Sequence, residues 1–104
     1  MDEFVVRGNL FELYGGLLND NQRKVYEYHV MDDMSFTEIG EELGVTRQAA
    51  QELFRRADKK LQSIEETLGL QHKLTSIREK AERIHVLAED TDIRDLAYEI
   101  IEGV

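Results

Sequence analysis

Cysteine, proline and tryptophan are all absent from this 104-residue chain. Without cysteine there is no disulfide scaffold, no thiolate metal site and no cysteine nucleophile. Without proline nothing in the sequence forces a helix to stop, so long helices are permitted throughout. Long apolar runs are missing too: no stretch approaches the roughly 20 residues that a membrane span needs. The start, MDEFVVRGNLF, has no basic segment followed by an apolar core, so no signal peptide is expected and the chain reads as cytoplasmic. Catalytic signatures are lacking as well. His29, His72 and His85 have no metal-ligand spacing, and the acid pairs Glu41–Glu42 and Glu65–Glu66 are adjacent, so they diverge on a helix. With no glycine-rich phosphate loop and no nucleophile elbow, the expectation is a protein with no enzymatic activity, no metal and no cofactor. Positive charge is scarce: 13 Lys and Arg stand against 22 Asp and Glu, for a net charge of −9.

Against that background residues 36–55, FTEIGEELGVTRQAAQELFR, carry a helix-turn-helix signature. Gly40 is the small residue where two helices cross closely. Ile39 and Leu43 flank it on one helical face. Gly44 stands where the chain must turn and a positive φ suits glycine, and Val45 follows as the expected apolar plug under that turn. Ala50 and Leu53 are the inward residues of the second helix. Ser35 with Glu38 forms a capping box for the first helix, and Thr46 caps the second. The same packing would also serve a helical hairpin that binds nothing, because a motif fixes a fold before it fixes a function.

The rest of the chain is organised as helices. Val6, Leu10, Leu13, Tyr14, Leu17 and Leu18 recur at helical spacing, with a bend or a close packing partner expected at Gly15–Gly16. Asn19 and Asp20 suit a connection and an N-cap. Residues 21–31 read as a second helix with Val25, Tyr28, Val30 and Met31 inward, ended by Asp32 and Asp33. The second motif helix continues: Phe54, Ala57, Leu61, Ile64 and Leu68 alternate three and four apart. Gly69 interrupts this stripe, Leu70, Leu74, Ile77, Ala81, Ile84 and Ala88 resume it, and after Asp90–Asp92 a short last helix carries Ile93, Leu96, Ala97, Ile100 and Ile101. Residues 1–68 thus form a helix-turn-helix domain with a long second helix, and residues 69–104 a C-terminal helical hairpin or coiled-coil arm. The 54–88 stripe is buried either within its own chain or against a second copy.

Charge is unevenly spread. Between Thr46 and Gln62, Arg47, Arg55, Arg56, Lys59 and Lys60 face only Glu52 and Asp58, whereas Glu38, Glu41 and Glu42 make the preceding helix acidic. Thr46, Arg47, Gln48, Gln51, Glu52 and Arg55 lie outward on the second motif helix. Arginine pairs with guanine edges and glutamine with adenine; Arg56, Lys59 and Lys60, at the far end, suit phosphate contacts. Thr46, Arg47, Gln48, Gln51, Arg55, Arg56, Lys59 and Lys60 are therefore the candidate nucleic-acid-binding residues. Glu52 and Arg56, an i,i+4 pair in the favourable order, equally suit a solvated, salt-bridged face. Because phosphate neutralisation dominates affinity, so few cations on so acidic a body should bind weakly alone.

Residues 10–61, LFELYGGLLNDNQRKVYEYHVMDDMSFTEIGEELGVTRQAAQELFRRADKKL, resemble the YlxM family of small bacterial proteins, through an "LFE-Y" start, a "LL-D-Q" junction, a "DD-S--EI-EE-GV-RQA" core and an "R--K-L" tail. Arg47 and Gln48 fall on the "RQ" of that core. The resemblance implies an all-α helix-turn-helix bundle similar to the fourth region of sigma factors, a winged-helix-type three-helix core without a clear wing. It also implies an accessory or regulatory role in the signal recognition particle pathway, on the particle's RNA or its GTPase. Two other readings stay open: a dimeric DNA-binding regulator paired through the 54–88 stripe, and a protein–protein adaptor whose acidic surface, Glu41 and Glu42 included, meets a basic partner.

Overall fold

The computed structural model describes residues 2–104, which form six α-helices and no strand. Two compact units result, one ending at Leu68 and one spanning Gly69–Val104. The first holds α1 (Glu3–Tyr14), α2 (Asp20–Tyr26), α3 (Phe36–Leu43) and α4 (Arg47–Leu68); the second holds α5 (Leu70–Leu87) and α6 (Thr91–Gly103).

Local chemistry sets the ends of these helices. Asp2 accepts a hydrogen bond from the Phe4 amide to start α1. The break expected near Gly15–Gly16 is present: α1 stops at Tyr14 and a 3-10 turn, Gly15–Leu17, follows. Asn19 then opens α2 with a reciprocal capping box to Gln22. The α2 helix does not run on regularly to Met31. Residues Glu27–Met31 form a π-helical turn, whose extra residue per turn shifts the register. That shift corrects the expected inward set. Val25 and Tyr26 are fully buried, Tyr28 and Val30 only partly, and Met31 is exposed.

The core of the first unit gathers Leu10 and Tyr14 of α1, Leu18, Val25 and Tyr26, Ile39 of α3, and Ala50, Phe54, Ala57 and Leu61 of α4. The 54–61 part of the apolar stripe is thus consumed inside its own unit. That part of the stripe is not free to meet a second copy, whereas Leu68, Ile77 and Ile84 further along it stay exposed. Phe11, Tyr26 and Phe54 stack in sequence, with ring centroids 5.6 and 5.1 Å apart.

One polar hub crosses this core. Asp58 accepts from Arg7 Nε at 3.0 Å, from the Tyr26 hydroxyl at 2.9 Å and from Gln62 Nε2 at 2.9 Å. The Arg7 guanidinium also lies 5.5 Å from the centroid of the Phe54 ring. A carboxylate this sheltered is tolerated because donors surround it. Burial, then the hydrogen bond to Asp58, push the Tyr26 phenol far above its ordinary range, so it stays a donor at every accessible pH. In this way α1 and α2 are both tethered to the middle of α4. A second tie joins α1 to the far end of α4, where the Tyr14 hydroxyl donates to Glu65 at 2.6 Å.

Candidate nucleic-acid interface

The helix-turn-helix is built from its caps inward. Ser35 Oγ accepts from the Glu38 amide while Glu38 Oε1 accepts from the Ser35 amide, both at 3.1 Å, so α3 begins with a complete capping box. The Ser35 backbone N–H, then its hydroxyl, hold the Glu38 carboxyl below the ordinary carboxylate range. At the other end Gly44 takes the left-handed conformation, φ 70° and ψ 32°, and the Val45 amide donates back to Gly40 O at 2.9 Å.

Gly40 has a separate reason to be glycine. A Cβ there would lie 2.7 Å from the Val45 carbonyl oxygen, a backbone atom that cannot swing aside. The turn therefore rests directly on α3, and that contact sets where α4 leaves. Val45 does this through its backbone. Its side chain is exposed, so its expected role as an apolar plug is corrected. Thr46 Oγ1 accepts from the Ala49 amide at 3.0 Å and starts α4. Fully buried Ile39 and Ala50 anchor the two motif helices in one core.

This geometry leaves one face of α4 in solvent. At 100° per residue, Arg47, Gln48, Gln51, Arg55 and Lys59 fall within about a third of the helix circumference, and all five are exposed. Arg56 and Lys60 lie further round the helix, and Lys60 reaches the 3-10 turn Gly15–Leu17. Thr46, the last of the candidate residues, is exposed at the helix start with its oxygen committed to the cap.

The electrostatics are more internal than the composition suggests. Glu52 accepts both arms of Arg55, at 2.8 and 3.0 Å, and also Arg56 Nε at 3.0 Å. Hydrogen bonds from Arg55 and then Arg56 bring the Glu52 carboxyl down to about 2. Lys60 Nζ donates to the Leu17 carbonyl at 2.8 Å. Of the five cations from Arg47 to Lys60, only Arg47 and Lys59 have no ion pair or hydrogen-bonded side-chain partner among the described residues.

Beside this face lies a shallow cleft lined by His29, Phe36, Gln48, Gln51, Phe54 and Arg55, with Glu52 at its rim. His29 and Phe36 stack at 4.3 Å, and Phe54 meets the His29 ring edge-on at 4.7 Å. Met34 O can only accept, so His29 Nδ1 carries the proton that it donates there at 2.9 Å. The π-helical turn is what brings His29 to this position. The sequence set His29 aside as an ordinary helix residue, and no spacing rule pairs it with Phe36. An aromatic floor with amide and guanidinium groups on its edge suits stacking and hydrogen bonding to a base. No group of His, Asp or Glu that could hold a metal ion occurs among the described residues. None of their helices is long and apolar enough to cross a membrane.

Comparison with known proteins agrees with this architecture. Residues 1–99 match the UPF0122 family model, described as "Putative helix-turn-helix protein, YlxM / p13 like". A UPF0122 protein of Thermoanaerobacter sp. (strain X514) is 34% identical over 110 residues, covering 99% of this chain and 94% of its own. One from Halalkalibacterium halodurans is 32% identical, covering 97% and 90%. One from Caldanaerobacter subterraneus subsp. tengcongensis is 37% identical over 83 residues, covering 80% and 71%. With the motif, its geometry and these full-length matches in agreement, the chain belongs to the UPF0122 family of YlxM/p13-like helix-turn-helix proteins.

Proposed function

We propose that this chain is a nucleic-acid-binding accessory or regulatory protein that presents α4 as its reading helix. The observation that carries this is the solvent-facing row Arg47, Gln48, Gln51 and Arg55 on a helix whose exit from the turn is fixed by Gly40 and Gly44. These side chains have the donor geometry for base edges, and the adjoining aromatic cleft adds a stacking surface.

The weak cation supply argues for a nucleoprotein target rather than bare duplex. With Glu52 holding Arg55 and Arg56, few charges are left for phosphates. A partner that supplies its own contacts relieves that deficit. The family resemblance points to the signal recognition particle, with its RNA meeting α4 and its GTPase as the possible protein contact.

The test is fluorescence titration of the particle's RNA, alone and loaded with its GTPase, beside a random-site DNA selection. Binding to the loaded particle, weakened at least about tenfold in an Arg47→Ala/Lys59→Ala double variant, supports the proposal. Binding that ignores this double variant but fails when Glu41 and Glu42 are reversed would replace it with the adaptor reading. Tight, sequence-selective DNA binding would keep the reading helix and remove the particle.

A further inference from the structure

The cleft beside α4 differs from the rest of the helix-turn-helix surface. Phe36 and His29 are both half-buried on its floor, and Phe54 closes it at 9% exposure. Phe36 is the first residue of α3, fixed by the Ser35 capping box, and its ring lies within 19° of parallel to His29. Inside a core such rings would be covered. Here they line an open cleft of about 470 Å³, within the roughly 300–1,000 Å³ usual for a small-ligand site.

The charges around the cleft restrict what fills it. Glu52 stands on the rim and stays ionised down to about pH 2. It holds both arms of Arg55, the other charged group of the rim, so the cleft is close to neutral. An anion meets the Glu52 carboxylate, and a cation finds that carboxylate already taken. A flat, neutral, polar group meets neither obstacle. Arg47 and Lys59, the two α4 cations without a partner among the described residues, stand on either side of the cleft residues, about 18 Å apart along the axis. A neutral ring-lined site between two free cations matches a nucleotide strand, whose bases stack and whose phosphates carry the charge.

The groups at the edge select among bases. Gln48 and Gln51 are exposed at the cleft, and their carboxamides have no hydrogen-bond partner among the described residues. A carboxamide pairs with N6 and N7 of adenine, whereas guanine calls for a free guanidinium. Arg55 is not free, so adenine is the better fit. Stacking also needs an open base face, which a duplex hides. Extruding a base from a duplex carries an unstacking cost that two free cations are poorly placed to offset. Loops and single strands of RNA present bases that are already unstacked.

We infer that the Phe36–His29 cleft is a site for one unpaired adenine of an RNA, the base stacking on the ring floor while Gln48 and Gln51 read its edge and Arg47 and Lys59 take the flanking phosphates. The assignment rests on α4 being the nucleic-acid-binding helix, and it narrows the target to a looped or single-stranded segment.

The test is fluorescence anisotropy of the full chain at low salt with three end-labelled RNAs: a short oligoadenylate, an oligouridylate of the same length, and a fully paired duplex with the same number of phosphates. Oligoadenylate should bind about tenfold or more tightly than either of the others. Its addition should move the Phe36 and His29 ring protons upfield in the NMR spectrum. Phe36→Leu should remove the preference for oligoadenylate, with circular dichroism checking the fold. Gln51→Ala, at an exposed position that leaves the fold intact, should narrow the margin over oligouridylate by about threefold or more. Arg47→Ala/Lys59→Ala should weaken all three RNAs alike. Three RNAs bound equally, or ring protons that stay in place on binding, overturn the inference, while a loss in the Arg47→Ala/Lys59→Ala variant still keeps α4 as the binding helix. Binding that this double variant does not weaken, or no binding at the highest soluble concentration, overturns both.

Discussion

Glu52 grips Arg55 with both carboxylate oxygens, at 2.8 and 3.0 Å, on the face of α4 that points to solvent. The same carboxylate also takes Arg56. In a chain short of positive charge, this places a built-in competitor for phosphate inside the candidate interface. Glu52→Gln should therefore tighten nucleic-acid binding by roughly three- to tenfold at low salt. It should also steepen the salt dependence, with log K falling by about one further unit per decade of salt for each arginine recruited. Titrations across a salt series read both quantities. An unchanged affinity and slope would mean that Arg55 and Arg56 do not reach phosphates.

The contact of the turn with α3 allows a sharper stability test. Gly40→Ala drives a methyl to within 2.7 Å of Val45 O. It should cost about 1–3 kcal/mol of overpacking and should also turn α4 enough to weaken binding. Gly44→Ala meets nothing within 4 Å but must adopt φ 70°, a strain of about 1 kcal/mol. Urea unfolding followed by far-ultraviolet circular dichroism separates the two. Gly44→Asn should be milder than Gly44→Ala, because asparagine visits the left-handed region more readily. An Ala variant at position 40 as stable as the wild type would mean that the turn does not rest on α3.

These glycines show which parts of the molecule were legible in the sequence. Gly40, Gly44, Ser35, Glu38 and Thr46 act through neighbours within a few residues, so spacing alone revealed their roles. The break at Gly15 is local in the same sense. Tyr26 was missed because its burial beside Val25 comes from Phe11 and Phe54, which stack on its ring from other helices, and spacing along one helix does not record such contacts. His29 was missed for the same reason. Asp58 was misjudged differently. Counted along α4 it only lowers a basic run, whereas in space it receives Arg7, a partner 51 residues away. Long-range pairing leaves no periodic trace, and neither does the Glu52–Arg55 grip, which depends on side-chain rotamers.

The Asp58 hub should behave as a unit. Tyr26→Phe leaves the carboxylate with two donors and removes one charge-assisted hydrogen bond, a loss of about 1.5–3 kcal/mol. Asp58→Ala leaves Arg7 without its partner beside the Phe54 ring and should cost about 3 kcal/mol. The double variant should then cost less than the sum of the two, because both changes remove the same bond. Full additivity in a double-mutant cycle would show that the hub is not cooperative.

Acid should loosen the helix-turn-helix in a defined window. Glu38 and Glu52 both titrate below their ordinary value of 4.5 in the folded chain, Glu52 at about 2. A carboxyl whose folded pKa is depressed stabilises the fold above its unfolded pKa and loses that contribution as pH falls through the folded one. The melting temperature should therefore be level near neutrality and fall from about pH 5 toward pH 2. Glu38→Gln should melt below the wild type at neutral pH, with the gap closing as the medium becomes acid. A gap independent of pH would assign the effect of the substitution to packing rather than to charge. Because Glu52 stays ionised down to about pH 2, acidification across the range in which nucleic acid stays paired cannot release Arg55 and Arg56. The binding gain of Glu52→Gln over the wild type should therefore be the same at pH 5 as at pH 8. A gain that shrinks at the lower pH would show that the arginines are freed by protonation.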